Sequence, residues 1–218
     1  MFFDGPEILQ SHDLKLVLLA ASIAALGSFI AVFLFAQARE LRGQSRVGWL
    51  LLAGFAAGAV MWTTNFVALL GFQPGIVMSY DPALTGAGFF ITVMLATIGL
   101  GLAAYGPGVS GFVGGAIVGL AAAAMHFSAM ASLHIGGTTA SNPVLISMRV
   151  VLCTACGALA LGRARYEGRE VQVIAPVLLA TGILIMHFVG MAGIEIGPRP
   201  AAALPSRTID PAVLGYFV

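Results

Sequence analysis

A polar residue followed by phenylalanine recurs three times at one spacing: Asn65-Phe66, His126-Phe127 and His187-Phe188, with 187 − 126 = 61 and 126 − 65 = 61. A fixed internal period constrains architecture before chemistry, because each copy is then one structural unit packed against the next. Thr64, Met125 and Met186 precede the polar residue, and Leu69, Met130 and Met191 stand four positions after it. The chain around these copies is very apolar. Of 218 residues 59% are hydrophobic and 9% charged, and mean hydropathy is +0.99, whereas a soluble domain is about 25% charged. Such a chain puts most of its surface in lipid. Its net charge of +1 gives no case for nucleic-acid binding.

Six stretches, at roughly 14–36, 47–72, 83–104, 109–133, 143–162 and 173–194, reach the length of about 20 apolar residues needed to cross a bilayer. Residues 211–218 read either as an interfacial tail or as a seventh span cut short, and the second is favoured. The start, with Asp4, Glu7 and Asp13 before the first span and Lys15 as its one early cation, does not read as a secretory signal. The first connection holds Arg39, Arg42 and Arg46 and the fifth Arg163, Arg165 and Arg169. The positive-inside rule makes their side cytoplasmic and the N-terminus external, with Arg199 and Arg207 weakly opposed.

A period of 61 residues covers two spans and two connections, so equivalent residues share one depth and one side. The expected fold is an all-α membrane protein, one transmembrane domain over 1–218, built as three two-helix hairpins about a pseudo-threefold axis. A row of hairpins has the same period. In helical spacing His126, Met130 and His134 share a face, as do His187, Met191 and Glu195, and as do Asn65, Leu69 and Gln73. Glycines beside these faces, Gly54, Gly58, Gly114, Gly115, Gly119, Gly182 and Gly190, suit close helix packing in lipid.

These residues carry a family likeness. Met125-His126-Phe127-Ser128-Ala129-Met130 and Met186-His187-Phe188-Val189-Gly190-Met191 resemble the MHYT integral-membrane sensor domain of bacteria, as do Ser11-His12-Asp13 and Ser79-Tyr80-Asp81-Pro82. The resemblance covers nearly the whole chain. It implies a domain of the bacterial inner membrane, with copper bound near the outer face and a diatomic gas, copper or redox state as stimulus. It also implies an output domain on the cytoplasmic side that makes or degrades cyclic diguanylate, or a separate partner. The first copy departs from the pattern, with Thr64, Asn65 and Leu69 where the family has Met, His and Met. That expectation places any metal in an asymmetric site built mainly from spans four and six.

Paired imidazoles with thioethers favour copper, above all Cu(I), over hard cations. His126 and His187 are the leading candidate ligands, against the alternative of histidines satisfied by neighbouring helices. Met130 and Met191 share their histidines' faces. Met125 and Met186 point about 100° away and rank lower. His12 near the outer surface is a weaker candidate, ahead of His134. Glu195 reads as an exposed interface carboxylate, Asp81 before Pro82 as a helix N-cap, and Cys153 and Cys156 as buried small residues. Arg149 either snorkels outward or pairs with Asp81 or Glu195. No catalytic set is recognisable. The competing readings are a copper carrier, channel or insertion factor, and a metal-free structural subunit. Self-association into a homo-oligomer is left open.

Overall fold

The computed structural model describes residues 12–75, 77–106, 108–164, 169–198 and 208–218. Ser11, Arg165, Arg199 and Arg207 and the side chains of Arg169 and Glu195 lie outside the described part. Six long helices dominate: α1 Leu14–Glu40, α2 Gly43–Gly71, α3 Pro82–Tyr105, α4 Ser110–Ser132, α5 Pro143–Arg163 and α6 Arg169–Ala192. At about 1.5 Å per residue even α5, with 21 residues, reaches roughly the 30 Å of a hydrocarbon core. All six are long and apolar enough to cross a membrane. Three run past the hydropathic limits toward the arginine-rich connections, α1 to Glu40, α2 from Gly43 and α6 from Arg169. Hydropathy registers the apolar core of a span and not the helical turns continuing into the interface.

Neighbours in sequence are neighbours in space, and α6 returns to α1, so the helices form a closed ring. The even helices α2, α4 and α6 also touch one another across its centre. Burial follows the same division. In the most apolar 18-residue window of each span, 50–56% of residues are buried in the even helices and 28–33% in the odd ones. The odd helices turn large apolar side chains outward, among them Leu18, Leu26 and Phe33 of α1 and Phe90 and Met94 of α3. An exposed surface of this kind suits lipid and would be untenable in water.

Short strands close the end at which the even helices finish: β1 Met78–Tyr80, β2 Leu133–Ile135, β3 Gly137–Ser141 and β4 Ile194–Pro198. β1 pairs antiparallel with β2, with Tyr80 opposite Leu133. β3 pairs antiparallel with β4, with Ser141 opposite Ile194. His12 bridges Phe72 in the same way. Phe72, Leu133 and Ile194 are 61 residues apart in sequence, so the repeat persists beyond the helices. Each hairpin is also laced at its open end. Asp13, Asp81 and Asn142 donate their backbone N–H to the carbonyls of Gly71, Ser132 and Gly193 at 2.8, 2.8 and 2.9 Å. Those acceptors again differ by 61. The same three donor residues cap α1, α3 and α5 with a side-chain oxygen. Asp81 is therefore the N-cap expected of it, with Pro82 in the first turn.

After residue 207 the described chain resumes at this capped end. Ile209 bridges Tyr80, Asp210 caps the short helix α7 Pro211–Gly215, and Leu214 is buried.

A polar site where three even helices meet

Asn65 of α2, His126 of α4 and His187 of α6 converge just beneath the strand layer, at 4%, 1% and 2% exposure. The two imidazole centroids are 5.6 Å apart and nearly perpendicular. One turn deeper, Met61, Ala122 and Ile183 form a second layer of residues 61 apart, and both layers line one cavity together with Met186. Two successive layers, each with one residue from each repeat, establish the pseudo-threefold axis and exclude a row of hairpins. The cavity measures ≈ 10 Å³, about the threshold for a single water molecule.

The hydrogen bonds fix the chemistry of this layer. The Nδ1 atoms of His126 and His187 both lie against Asn65 Oδ1, at 3.0 and 3.1 Å. Arg149 Nη1 lies 3.0 Å from His126 Nε2. A guanidinium only donates, so Nε2 of His126 accepts and the ring proton sits on Nδ1. That N–H donates to Asn65 Oδ1, which orients the amide. His187 Nδ1 approaches the same oxygen and donates as well. One carbonyl oxygen thus holds imidazoles from two other helices. Among the described residues Asn65 Nδ2 and His187 Nε2 are buried with no protein partner, so each can still take a hydrogen bond.

Arg149 is the correction of largest consequence. It neither snorkels nor pairs with Asp81, whose side chain caps α3. It is 4% exposed, turned inward onto His126, with its guanidinium 4.9 Å from the Phe127 ring centroid. Its Nε has no partner among the described residues. Space for it comes from Gly190, where the equivalent positions of the other repeats hold Ala68 and Ala129. A Cβ at Gly190 would overlap Arg149 Nη1 and stand 2.7 Å from His126 Nε2.

The structure brings only part of the expected set together. His126, His187 and Met186 meet at the cavity, and Met61 joins them. His12 is half-buried, its ring centroid 6.3 Å from that of His187. Met125, Met130 and Met191 are not among the cavity walls. Met125 turns toward α3, where its Cε lies 3.5 Å from a Cβ built on Gly88. The helical rows stop short of their third members. Gln73 and His134 lie beyond α2 and α4, and Glu195 belongs to β4. The carbonyls of Gly71, Ser132 and Gly193 go to the caps of neighbouring helices, and the chain then turns extended. Beside the histidines of spans four and six, Asn65 of span two joins the layer, its Oδ1 facing both imidazoles. Cys153 is buried, with its Sγ donating to Gly119 O at 3.3 Å, and Cys156 is half-buried. Among the described residues, no group of three or more His, Cys, Asp or Glu side chains is placed to hold a metal ion. Above the site, burial pushes the Tyr80 phenol well above its ordinary value.

The family profile of the bacterial signalling protein N-terminal repeat, MHYT, matches residues 58–115 and 119–176. The chain belongs to the MHYT family. The two matched segments begin 61 residues apart (119 − 58 = 61), the same offset as the His/Asn layer. The MHYT domain is 33% identical over 211 residues to a signalling protein of Caulobacter vibrioides, covering 95% of this chain and 26% of that protein. It is 30% identical over 218 residues to the cyclic di-GMP phosphodiesterase NbdA of Pseudomonas aeruginosa, covering 95% of this chain and 28% of NbdA. It is 25% identical over 219 residues to the bifunctional diguanylate cyclase/cyclic di-GMP phosphodiesterase MucR of the same organism, covering 97% and 32%. The chain thus spans about a quarter to a third of the length of these relatives. No solved structure matches it.

Proposed function

We propose that this multi-pass MHYT domain is the input module of a bacterial signalling system, with the Asn65/His126/His187 layer as its sensing element. The observation that carries the reading is the shared oxygen of Asn65. A single amide oxygen ties together three helices that also touch one another across the centre of the bundle. A ligand that takes His187 Nε2 or displaces Arg149 changes how those helices pack. It shifts the domain between two arrangements only if it binds one better than the other.

Copper fits this layer in part. His126 has both nitrogens engaged, and a guanidinium stands against one of them. His187 Nε2 is the free imidazole donor, and Met61 and Met186 are the thioethers at the cavity. One imidazole and two thioethers are soft, neutral donors suited to Cu(I), while the neighbouring Arg149 opposes a divalent ion. Copper would be held by His187 with Met61 and Met186, and His126 would serve as the arginine-locked neighbour. When bound, the metal supplies a redox-active centre open to a diatomic gas.

The output lies at the opposite end. Arg39 Nη1 donates to Ala164 O at 2.8 Å, and Arg46 sits 5.1 Å from the Tyr105 ring centroid. The first, third and fifth connections thus gather at one end, which the arginines assign to the cytoplasm. The N-terminus and the sensing layer are then on the periplasmic side. By likeness to NbdA and MucR, the signal passes to a domain acting on cyclic di-GMP, and this membrane region does no catalysis itself. Elemental analysis of copper-loaded protein in lipid tests the site. His187→Ala is expected to lose copper, whereas Met130→Leu and Met191→Leu retain it. Equal copper in wild type and His187→Ala would sink the reading.

A further inference from the structure

Arg149 breaks the repeat at the layer of the histidines. It lies seven residues after the cap Asn142, and the residues seven after the caps Asp13 and Asp81 are Ala20 and Gly88 (149 − 142 = 88 − 81 = 20 − 13 = 7). In those two repeats the position is one of close packing. Ala20 is buried beside Val67 and Ala68, and a Cβ on Gly88 would stand 2.9 Å from Ser128 Cβ. The third repeat puts a guanidinium at this place, and Gly190 makes room for it. We propose that Arg149 is a built-in cation that holds the position of a metal ion on His126, and so confines metal binding in the layer to His187. The inference rests on the reading that this layer takes a soft metal.

The atoms support the replacement of one cation by another. A ligating imidazole characteristically donates one ring N–H to an oxygen and turns its bare nitrogen to the metal. His126 and His187 both direct Nδ1 to Asn65 Oδ1, so both rings are set for ligation in the same way. They differ at Nε2. On His126 that lone pair accepts from Arg149 Nη1 at 3.0 Å, whereas a metal would stand on it at about 2 Å. One lone pair cannot serve both. The guanidinium keeps its charge at any physiological pH, so no titration frees the position. A metal that displaced it would bring a second positive charge beside the first, in surroundings that screen little. The guanidinium also faces the Phe127 ring, a second interaction that suits a cation. Three equivalent positions thus carry an amide, an imidazole closed by arginine, and an imidazole whose Nε2 has no protein partner among the described residues.

Silver ion, a soft and redox-inert monovalent cation, is the probe. Nitrogen-15 spectra of histidine-labelled protein in lipid nanodiscs, with His12→Gln and His134→Gln throughout, report the two buried rings, and His187→Ala assigns them. In the parent, saturating silver should shift Nε2 of His187 and leave His126 in place. Arg149→Leu and Arg149→Ala add no metal donor. Each should shift the His126 Nε2 signal before silver is added, through loss of the guanidinium, and should then let silver shift it again. With His187→Ala the His126 signal should stay unmoved by silver while Arg149 is present, and respond once Arg149→Leu is added. The proposal is overturned if silver moves His126 in the parent. It is overturned equally if folded Arg149→Leu and Arg149→Ala both leave His126 indifferent to silver. Thermal unfolding verifies the fold of each variant, and if neither folds the parent spectrum alone decides. A silent His187 in the parent, beside a responsive His126 in Arg149→Leu, would sink the sensing reading and leave the role of Arg149 standing.

Discussion

The two ends of the bundle are held by different means. Toward the arginine end the helices meet backbone to backbone. A Cβ on Gly99 or Gly114 would run into the other's carbonyl oxygen, and the same holds for Gly115 and Gly157. Toward the strand-capped end the even helices meet through side chains, by an amide and two imidazoles joined by a guanidinium from α5, with Asn65 Nδ2, His187 Nε2 and Arg149 Nε unpartnered among the described residues. The first kind of contact has one arrangement and tolerates little change. The second is bistable in principle, because its unmet groups gain by rearranging around a ligand. The repeat makes the same distinction. The 61-residue spacing is kept by the helix-ending carbonyls of Gly71, Ser132 and Gly193, which set geometry, and by Asn65, His126 and His187, where the change of residue type sets chemistry.

The largest expected effect is at the backbone contacts. Gly115→Leu forces a branched side chain into the Gly157 carbonyl, and unfolding in detergent should show loss of the folded bundle. Asn65→Leu removes the acceptor of two buried N–H groups at about 1–3 kcal/mol each, and Asn65→Asp, which keeps an acceptor, should cost less in the same measurement. Gly190→Ala crowds Arg149 against His126 and is expected to cost about 1–3 kcal/mol. Adding Arg149→Met should recover part of that loss, and a double-mutant cycle reads the coupling. The smallest effect is at Cys153, whose one polar contact is a thiol to Gly119 O. Cys153→Ser should move stability by under about 1 kcal/mol. If Gly115→Leu proved milder than Asn65→Leu, the division between a rigid and a rearranging end would fail.

Spans, period and common depth were legible because each is a one-dimensional property of the chain. Asn65 was visible in register with the histidines. It reads as a lost ligand while metal donors are sought, and as a hub once an acceptor is sought for two neutral imidazoles. Arg149 was visible as a charge within a span, but hydropathy carries no rotational angle, and the inward turn depends on Gly190 of another helix. Met61 is legible in the sequence as the residue one turn deeper than Asn65 on the same helical face. The strands were not legible. They are three to five residues long, and their pairing follows from where the helix ends are brought together.

The proton positions on His126 and His187 test the central claim most directly. Nitrogen-15 solid-state spectra of histidine-labelled protein in bilayers report them, with His12→Gln and His134→Gln leaving only the two buried rings of the chain's 4 histidines. Both rings should be neutral, with the proton on Nδ1 and Nε2 bare, and both signals should shift in Asn65→Leu. A proton on Nε2 of His126, or a doubly protonated ring, would contradict the shared-acceptor arrangement.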